Sequence, residues 1–251
     1  MVKKIALIAL GLLASGMPFY AGARPTVVEL YTSQGCSSCP AAEALIRQLS
    51  QDPALMALSF HVHYFDSQGW KDPFGSEANT ARQKAYVSMM GIDSVFTPQV
   101  IVDGAVSVAG SDDRAVEKAI SEAENHTIEI PVSITPQADG NLRIAIGGPG
   151  PKQAVPPGVT AWELHFLRGG ANSVDAGENQ GTVLESTNNV MRYVPMTVEA
   201  GRENDFALPM NFPEDGVAVI VQQQPVGRVI GAAIYLKPGP ATVMQQRVDA
   251  R

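Results

Sequence analysis

Two cysteines, Cys36 and Cys39, are the only thiols in 251 residues, and they sit on the junction between a strand pattern and a helix pattern. Thr26 to Thr32 is rich in β-branched and aromatic strand formers, and Ser33-Gln34-Gly35 breaks the run. Pro40 to Leu49 then places Ala41, Ala44, Leu45 and Leu49 along one helical stripe. A strand, a Cys-x-x-Cys turn and a helix in that order call for an α/β unit with the two sulfurs at the helix N-terminus.

The pattern continues in kind. A second strand is expected over Leu55 to Phe65, then an excursion from Asp66 to Phe74, then a helix from Ser76 to Met90 with Gly91 as its C-cap. Thr97-Pro98 leads into a strand over Val100 to Val102, Asp103-Gly104 signals a hairpin, and Ala105 to Ala109 is the return strand. A last helix, capped by Ser111 or Asp112, is expected to run to about Asn125, with Val116, Ile120 and Ala123 inward. A mixed sheet with helices on both faces follows, and the hairpin followed by a terminal helix resembles the C-terminal half of a thioredoxin-like fold. Beyond Thr127 only short alternating segments appear, around Ile128 to Ile134, Leu142 to Ile146, Ala161 to Leu167, Thr182 to Ser186, Val190 to Pro195, Val217 to Gln222 and Val229 to Leu236. They call for a small antiparallel all-β, sandwich-like domain. The expected organisation is a leader over residues 1–23, a thioredoxin-like domain over 24–126 and the β domain over 127–251.

Lys3 and Lys4, the apolar run Ile5 to Leu13 and the small-x-small site Ala21-Gly22-Ala23 read as a secretory signal. The run is short for a span of about 20 residues, which disfavours an uncleaved anchor. Loss of the leader takes the formal charge from −7 to −9 with Lys3 and Lys4. An acidic surface repels phosphates and anionic lipid, so neither nucleic acid nor stable membrane insertion is expected. A periplasmic or secreted location is, and in an oxidising compartment the two cysteines tend toward a disulfide.

Thiol–disulfide exchange runs through the thiolate, which a helix N-terminus favours. Cys36 is the candidate nucleophile and Cys39, one turn inward, the resolving thiol. Thr97 and Pro98 are candidate substrate-binding residues: a cis proline opposite the pair offers a substrate backbone an edge. Glu29, on the strand that delivers Cys36, is a candidate proton acceptor for Cys39, against the simpler reading of a solvent-facing strand residue. His61 and His63 share one face of the expected strand, and with the cysteines they suggest a metal site, but two alternate histidines are more often ordinary sheet residues; no metal site and no cofactor are assigned. Trp70, Phe74 and Tyr86 read as packing of the excursion, and Gly177-Glu178-Asn179-Gln180-Gly181 as a turn.

The segments Val28 to Pro40, Ser59 to Asp66, Gly69 to Phe74 and Thr97 to Gly104 together resemble the exported bacterial proteins grouped as domain of unknown function 1223, and Gly177-Glu178-Asn179 carries the resemblance into the second half. The resemblance implies a thioredoxin-like fold and leaves activity open. Within it this chain departs at His63, Phe65 and Asn188, where Asp, Trp and His are usual. Three functions remain in view: an oxidoreductase acting on protein cysteines or with a redox partner protein; a binding protein with a structural Cys36–Cys39 disulfide; and a copper or zinc chaperone using the same thiols.

Overall fold

A computed structural model describes residues 24–123, 129–223, 226–239 and 243–244. The leader expected over residues 1–23 lies outside them. The N-terminal half runs β1 (Thr26–Thr32), α1 (Cys39–Leu49), β2 (Leu55–His61), α2 (Glu77–Met90), β3 (Gln99–Val102), β4 (Val106–Ala109) and α3 (Asp113–Ala123). β1 lies between β2, to which it is parallel, and β3, to which it is antiparallel. Every residue of β1 is buried, as expected for a strand covered on both faces. Val28 and Leu30 pack with Ala42, Leu45 and Ile46 of α1 and Val116 and Ile120 of α3. Val27 and Tyr31 face the other way, toward Phe60 and the α2 residue Tyr86.

Local signals set the element ends. Ser76 Oγ accepts the Asn79 backbone N–H at 3.0 Å, and Gly91 closes α2 in the left-handed region at φ 65°. Asp103 and Gly104 both take positive φ in the β3–β4 hairpin. Asp103 is further held by Arg24, at 2.8 Å and 2.9 Å, and by the Val27 backbone N–H.

The C-terminal half adds β5 (Val132–Pro136), β6 (Asn141–Ile146), β7 (Val159–Ser173), β8 (Val183–Met196), β9 (Asn204–Pro209), β10 (Gly216–Gln223), β11 (Val229–Leu236) and β12 (Val243–Met244). The small antiparallel unit expected over 127–251 is not a separate pair of sheets. β7, β8, β10 and β11 extend the first sheet in the order β11-β10-β7-β8-β2-β1-β3-β4, with β12 on β7, while β5, β6 and β9 form a second, three-stranded antiparallel sheet. The second sheet buries Ile144 and Ile146 against Ala161, Val219, Val221 and Ile230 of the large one.

The seam between the halves is narrow. β2 meets β8 at Ser59 and Asn189. Side chains reinforce it: Asn188 Nδ2 donates to Ala57 O at 2.9 Å, and Asn79 Nδ2 donates to His61 O and Val190 O. β7 runs past the expected Ala161 to Leu167, through Gly169-Gly170 to Ser173. A side chain at Gly170 would overlap the Phe74 ring, so the missing Cβ is what lets the excursion pack on the strand. Among the described residues no helix is long and apolar enough to cross a membrane.

Candidate functional site

Cys36 and Cys39 form a disulfide, with their Cα atoms 5.4 Å apart. Cys39 opens α1, Pro40 occupies the first turn, and the Cys39 backbone N–H donates to Cys36 O at 3.2 Å. Ser37 and Ser38 are exposed, yet Cys36 and Cys39 are 3% and 1% exposed.

The loop joining β7 to β8, residues 174–182, is bonded to the turn that carries them. Asn179 Nδ2 donates to Gln34 O and to Cys36 O, both at 2.9 Å, and the Ser37 backbone N–H donates to Glu178 Oε2 at 2.9 Å. That N–H holds the exposed Glu178 carboxyl below the usual range. The loop is braced by Thr182 Oγ1 donating to Asn179 O at 2.6 Å, and by Gly181 N–H to Val174 O. The segment that the sequence presents as a turn is one, and it is bonded to the backbone of the cysteine turn.

The excursion after β2 supplies the other support. Asp72 Oδ2 accepts the Gln34 backbone N–H at 2.7 Å and lies 2.8 Å from His61 Nδ1. Trp70 Nε1 donates to Gln34 Oε1 at 3.1 Å, and Phe74 packs against the His61 ring. On the other side of His61, Nε2 lies 3.1 Å from Asn189 Oδ1 and 3.3 Å from Glu43 Oε1. Burial alone would lower the His61 pKa, but Asp72 and then Glu43 override it and push it up to about 9. The imidazole is therefore cationic at neutral pH and donates from both nitrogens. Burial would raise Asp72, but His61 and the Gln34 and Phe74 N–H groups hold it below its ordinary value. Glu43 is held above the usual carboxylate range by burial, partly offset by His61.

Glu43 follows Cys39 by four residues, so both fall on one face of α1. They line a cavity of about 320 Å³ between α1 and the start of β8, with Gln34, Arg47, His61 and Ser186 also in its wall.

The candidates named from sequence fare differently. Glu29 is fully buried, but on the α2 face of β1, opposite α1. Arg82 binds its two oxygens at 2.7 Å and 2.8 Å, and the hydroxyls of Tyr31 and Tyr86 donate to them. Gln222 completes the cluster, accepting from Arg82 at 2.7 Å. This carboxylate is committed to an internal ion pair away from the cysteines. The Thr97–Pro98 peptide is cis. Pro98 is buried beside α1: a Cβ on Gly110 would lie 3.0 Å from Pro98 Cβ and 3.3 Å from Ala42 Cβ. His61 and His63 do not share a face, because β2 ends at His61, and His63 Nδ1 turns to Thr80 Oγ1 at 2.8 Å. Among the described residues no group of three or more His, Cys, Asp or Glu is arranged to hold a metal. Trp70 and Phe74 pack the excursion as expected, while Tyr86 belongs to the Glu29 cluster.

Glu43, Asp72, Asn179 and Asn189 escaped the sequence reading. The four-residue step from Cys39 to Glu43 was the signal for the first. The Gly69-Trp70-Lys71-Asp72-Pro73-Phe74 motif flagged the second.

Protein AGR_C_4864 of Agrobacterium tumefaciens, known from its crystal structure, superposes with a TM-score of 0.73 at 28% identity, over 88% of this chain and 98% of that one. HBP35 of Porphyromonas gingivalis superposes with a TM-score of 0.56 at 14% identity, over 91% of this chain and 80% of that one, a likeness of fold alone. No curated protein matches the sequence. Residues 27–222, which hold β1, the disulfide, the excursion, the β7–β8 loop and most of β10, match the family described as protein of unknown function DUF1223. The chain belongs to that family.

Proposed function

We propose that the chain is an exported, thioredoxin-like thiol–disulfide oxidoreductase working through Cys36 and Cys39. The observation that carries this reading is the pairing of the disulfide at the N-terminus of α1 with Glu43 one turn on, in the wall of a cavity shared with Cys39. Thiolate formation is favoured at a helix N-terminus. Exchange also needs a group that takes and returns the proton of the second thiol, and a carboxyl held above its usual range suits that role. The order β1-α1-β2-α2-β3-β4-α3, with a cis proline opening β3, supports the thioredoxin-like assignment. The leader expected over residues 1–23 supports an oxidising compartment.

One observation favours a second reading, in which the disulfide is a structural staple: Cys36 and Cys39 are 3% and 1% exposed, and Asn179 binds the Cys36 carbonyl. The reduction potential separates the two. A working pair is expected between roughly −120 and −270 mV, and a staple below about −300 mV. Equilibration of the purified chain against glutathione and dithiothreitol buffers, read by alkylation and mass, gives the value. A potential in the lower range would end the exchange reading.

A further inference from the structure

We propose that the thiol exchanged at this site is a small zwitterionic thiol of the cysteine type, entering through the cavity between α1 and β8 and reacting at Cys39. This rests on the exchange reading above and narrows its substrate from protein cysteines to a low-molecular-weight compound.

The first ground is what a polypeptide would meet. Cys36 is 3% exposed, its carbonyl is taken by Asn179 and the next N–H by Glu178. Two of the backbone groups that flank the first sulfur are thus already bonded within the chain. The second ground is the cavity. Cys39 lines it and Cys36 does not, and its volume of about 320 Å³ is at the small end of ligand sites. Its wall carries polar atoms that are buried and without a hydrogen-bond partner: Gln34 Nε2 and Ser186 Oγ. Such atoms cost free energy unless a ligand or water meets them. The third ground is charge. Arg47 and Glu185 stand together at the mouth, 3.3 Å apart, and offer one cation and one anion to the two charges of an amino acid.

The chemistry balances with the protein disulfide as oxidant. The incoming thiol gives its proton to Glu43, and its sulfur attacks Cys39 Sγ. The Cys36–Cys39 bond breaks, and Cys36 leaves as the thiolate at the helix N-terminus, the better leaving group. A second small thiol attacks the sulfur of the bound one and releases the small disulfide. Cys39 departs as thiolate and recovers a proton from Glu43, while Cys36 takes the proton of the second thiol. Two thiols are oxidised, and one protein disulfide is reduced.

The test follows reduction of the oxidised chain, lacking residues 1–23, by L-cysteine and by a 12-residue peptide with a single cysteine, at equal thiolate concentration. L-cysteine is expected to react at least tenfold faster. Leu184→Trp at the mouth and Ser186→Trp in the wall should each slow it at least tenfold while leaving the peptide rate unchanged. Folding of each variant is checked by its denaturation midpoint, and Leu184 is only half-buried, so that variant is the safer one. Cys36→Ser protein treated with cystine should carry one cysteinyl group on Cys39. Equal rates for the two thiols, or an L-cysteine rate that neither tryptophan changes, overturns the cavity route and leaves exchange standing. If neither thiol reduces the disulfide while a dithiol reductant in denaturant does, the exchange reading itself falls.

Discussion

Asn179 donates its side-chain amide to the carbonyl oxygen of Cys36 at 2.9 Å, across 143 residues of chain. The same amide reaches Gln34 O at 2.9 Å, so one side chain spans the turn that presents the first sulfur. The state of the disulfide and the position of residues 174–182 are therefore coupled.

Asn179→Ala removes both bonds and leaves Cys36 O with the Cys39 N–H alone. At about 1 kcal/mol net for each hydrogen bond, the stability loss should be about 2 kcal/mol by urea denaturation. In the reduced protein, Cys36 should react with iodoacetamide at least tenfold faster than in the parent. An unchanged alkylation rate would mean that the loop is not what shields the sulfur.

Glu178 places a carboxylate on the Ser37 N–H, next to the sulfur that must carry negative charge when reduced. Glu178→Gln should stabilise the Cys36 thiolate and make the pair more oxidising. A shift toward more negative potential would contradict this.

Glu29→Gln breaks a buried ion pair and strips acceptors from Arg82, Tyr31 and Tyr86. A loss of about 3–5 kcal/mol is expected. Because the cluster lies on the α2 face of β1, the potential of the pair should move by less than about 10 mV, under half a kcal/mol. A larger shift in a folded variant would return Glu29 to the redox site.

The His61 site gives stability a pH dependence of known sign. Its folded pKa is raised from 6.5 to about 9, so its contribution is full below pH 6.5 and is lost as pH rises through 9. Glu43, also raised, acts in the same direction from pH 4.5 upward. Asp72 is lowered, so its contribution is present above pH 3.8 and is lost as pH falls through its depressed folded value. Urea midpoints should decline between pH 6.5 and 9, and His61→Gln should flatten that decline. The imidazole NMR titration should centre near pH 9. Asp72→Asn should bring the centre down by more than one unit, and a parent midpoint below 6.5 would remove the cationic assignment.

The N-terminal elements were legible because their signals are local. Ser76 and Gly91 mark α2, Asp103-Gly104 marks the hairpin, and the β-branched run marks β1. The seam was not. Ser59 and Asn189 are ordinary strand residues in sequence, and nothing local says that β8 will lie on β2. The alternation that marks β7 ends at Leu167, and the reason the strand can pass Gly170 is Phe74, almost a hundred residues earlier. β8 was read as two pieces, and β9 was missed: its six residues alternate only weakly between half-buried and exposed. Within the site, the cysteines and the helix start were visible, while a sequence does not show that the bond before Pro98 is cis. Glu29 misled because a carboxylate on the strand before a Cys-x-x-Cys can sit on either face, and which face depends on where Arg82 comes to rest.

The two cysteines are three residues apart, whereas the side chains that bind the turn between them lie more than 140 residues further along. During synthesis the cysteine pair is complete long before the β7–β8 arm exists. Long-range strand pairing of this kind also forms slowly. Whatever oxidises this pair during synthesis thus meets an open dithiol, and what approaches the finished protein meets it through the cavity that Cys39 lines. Maturation and function present the same bond through different doors.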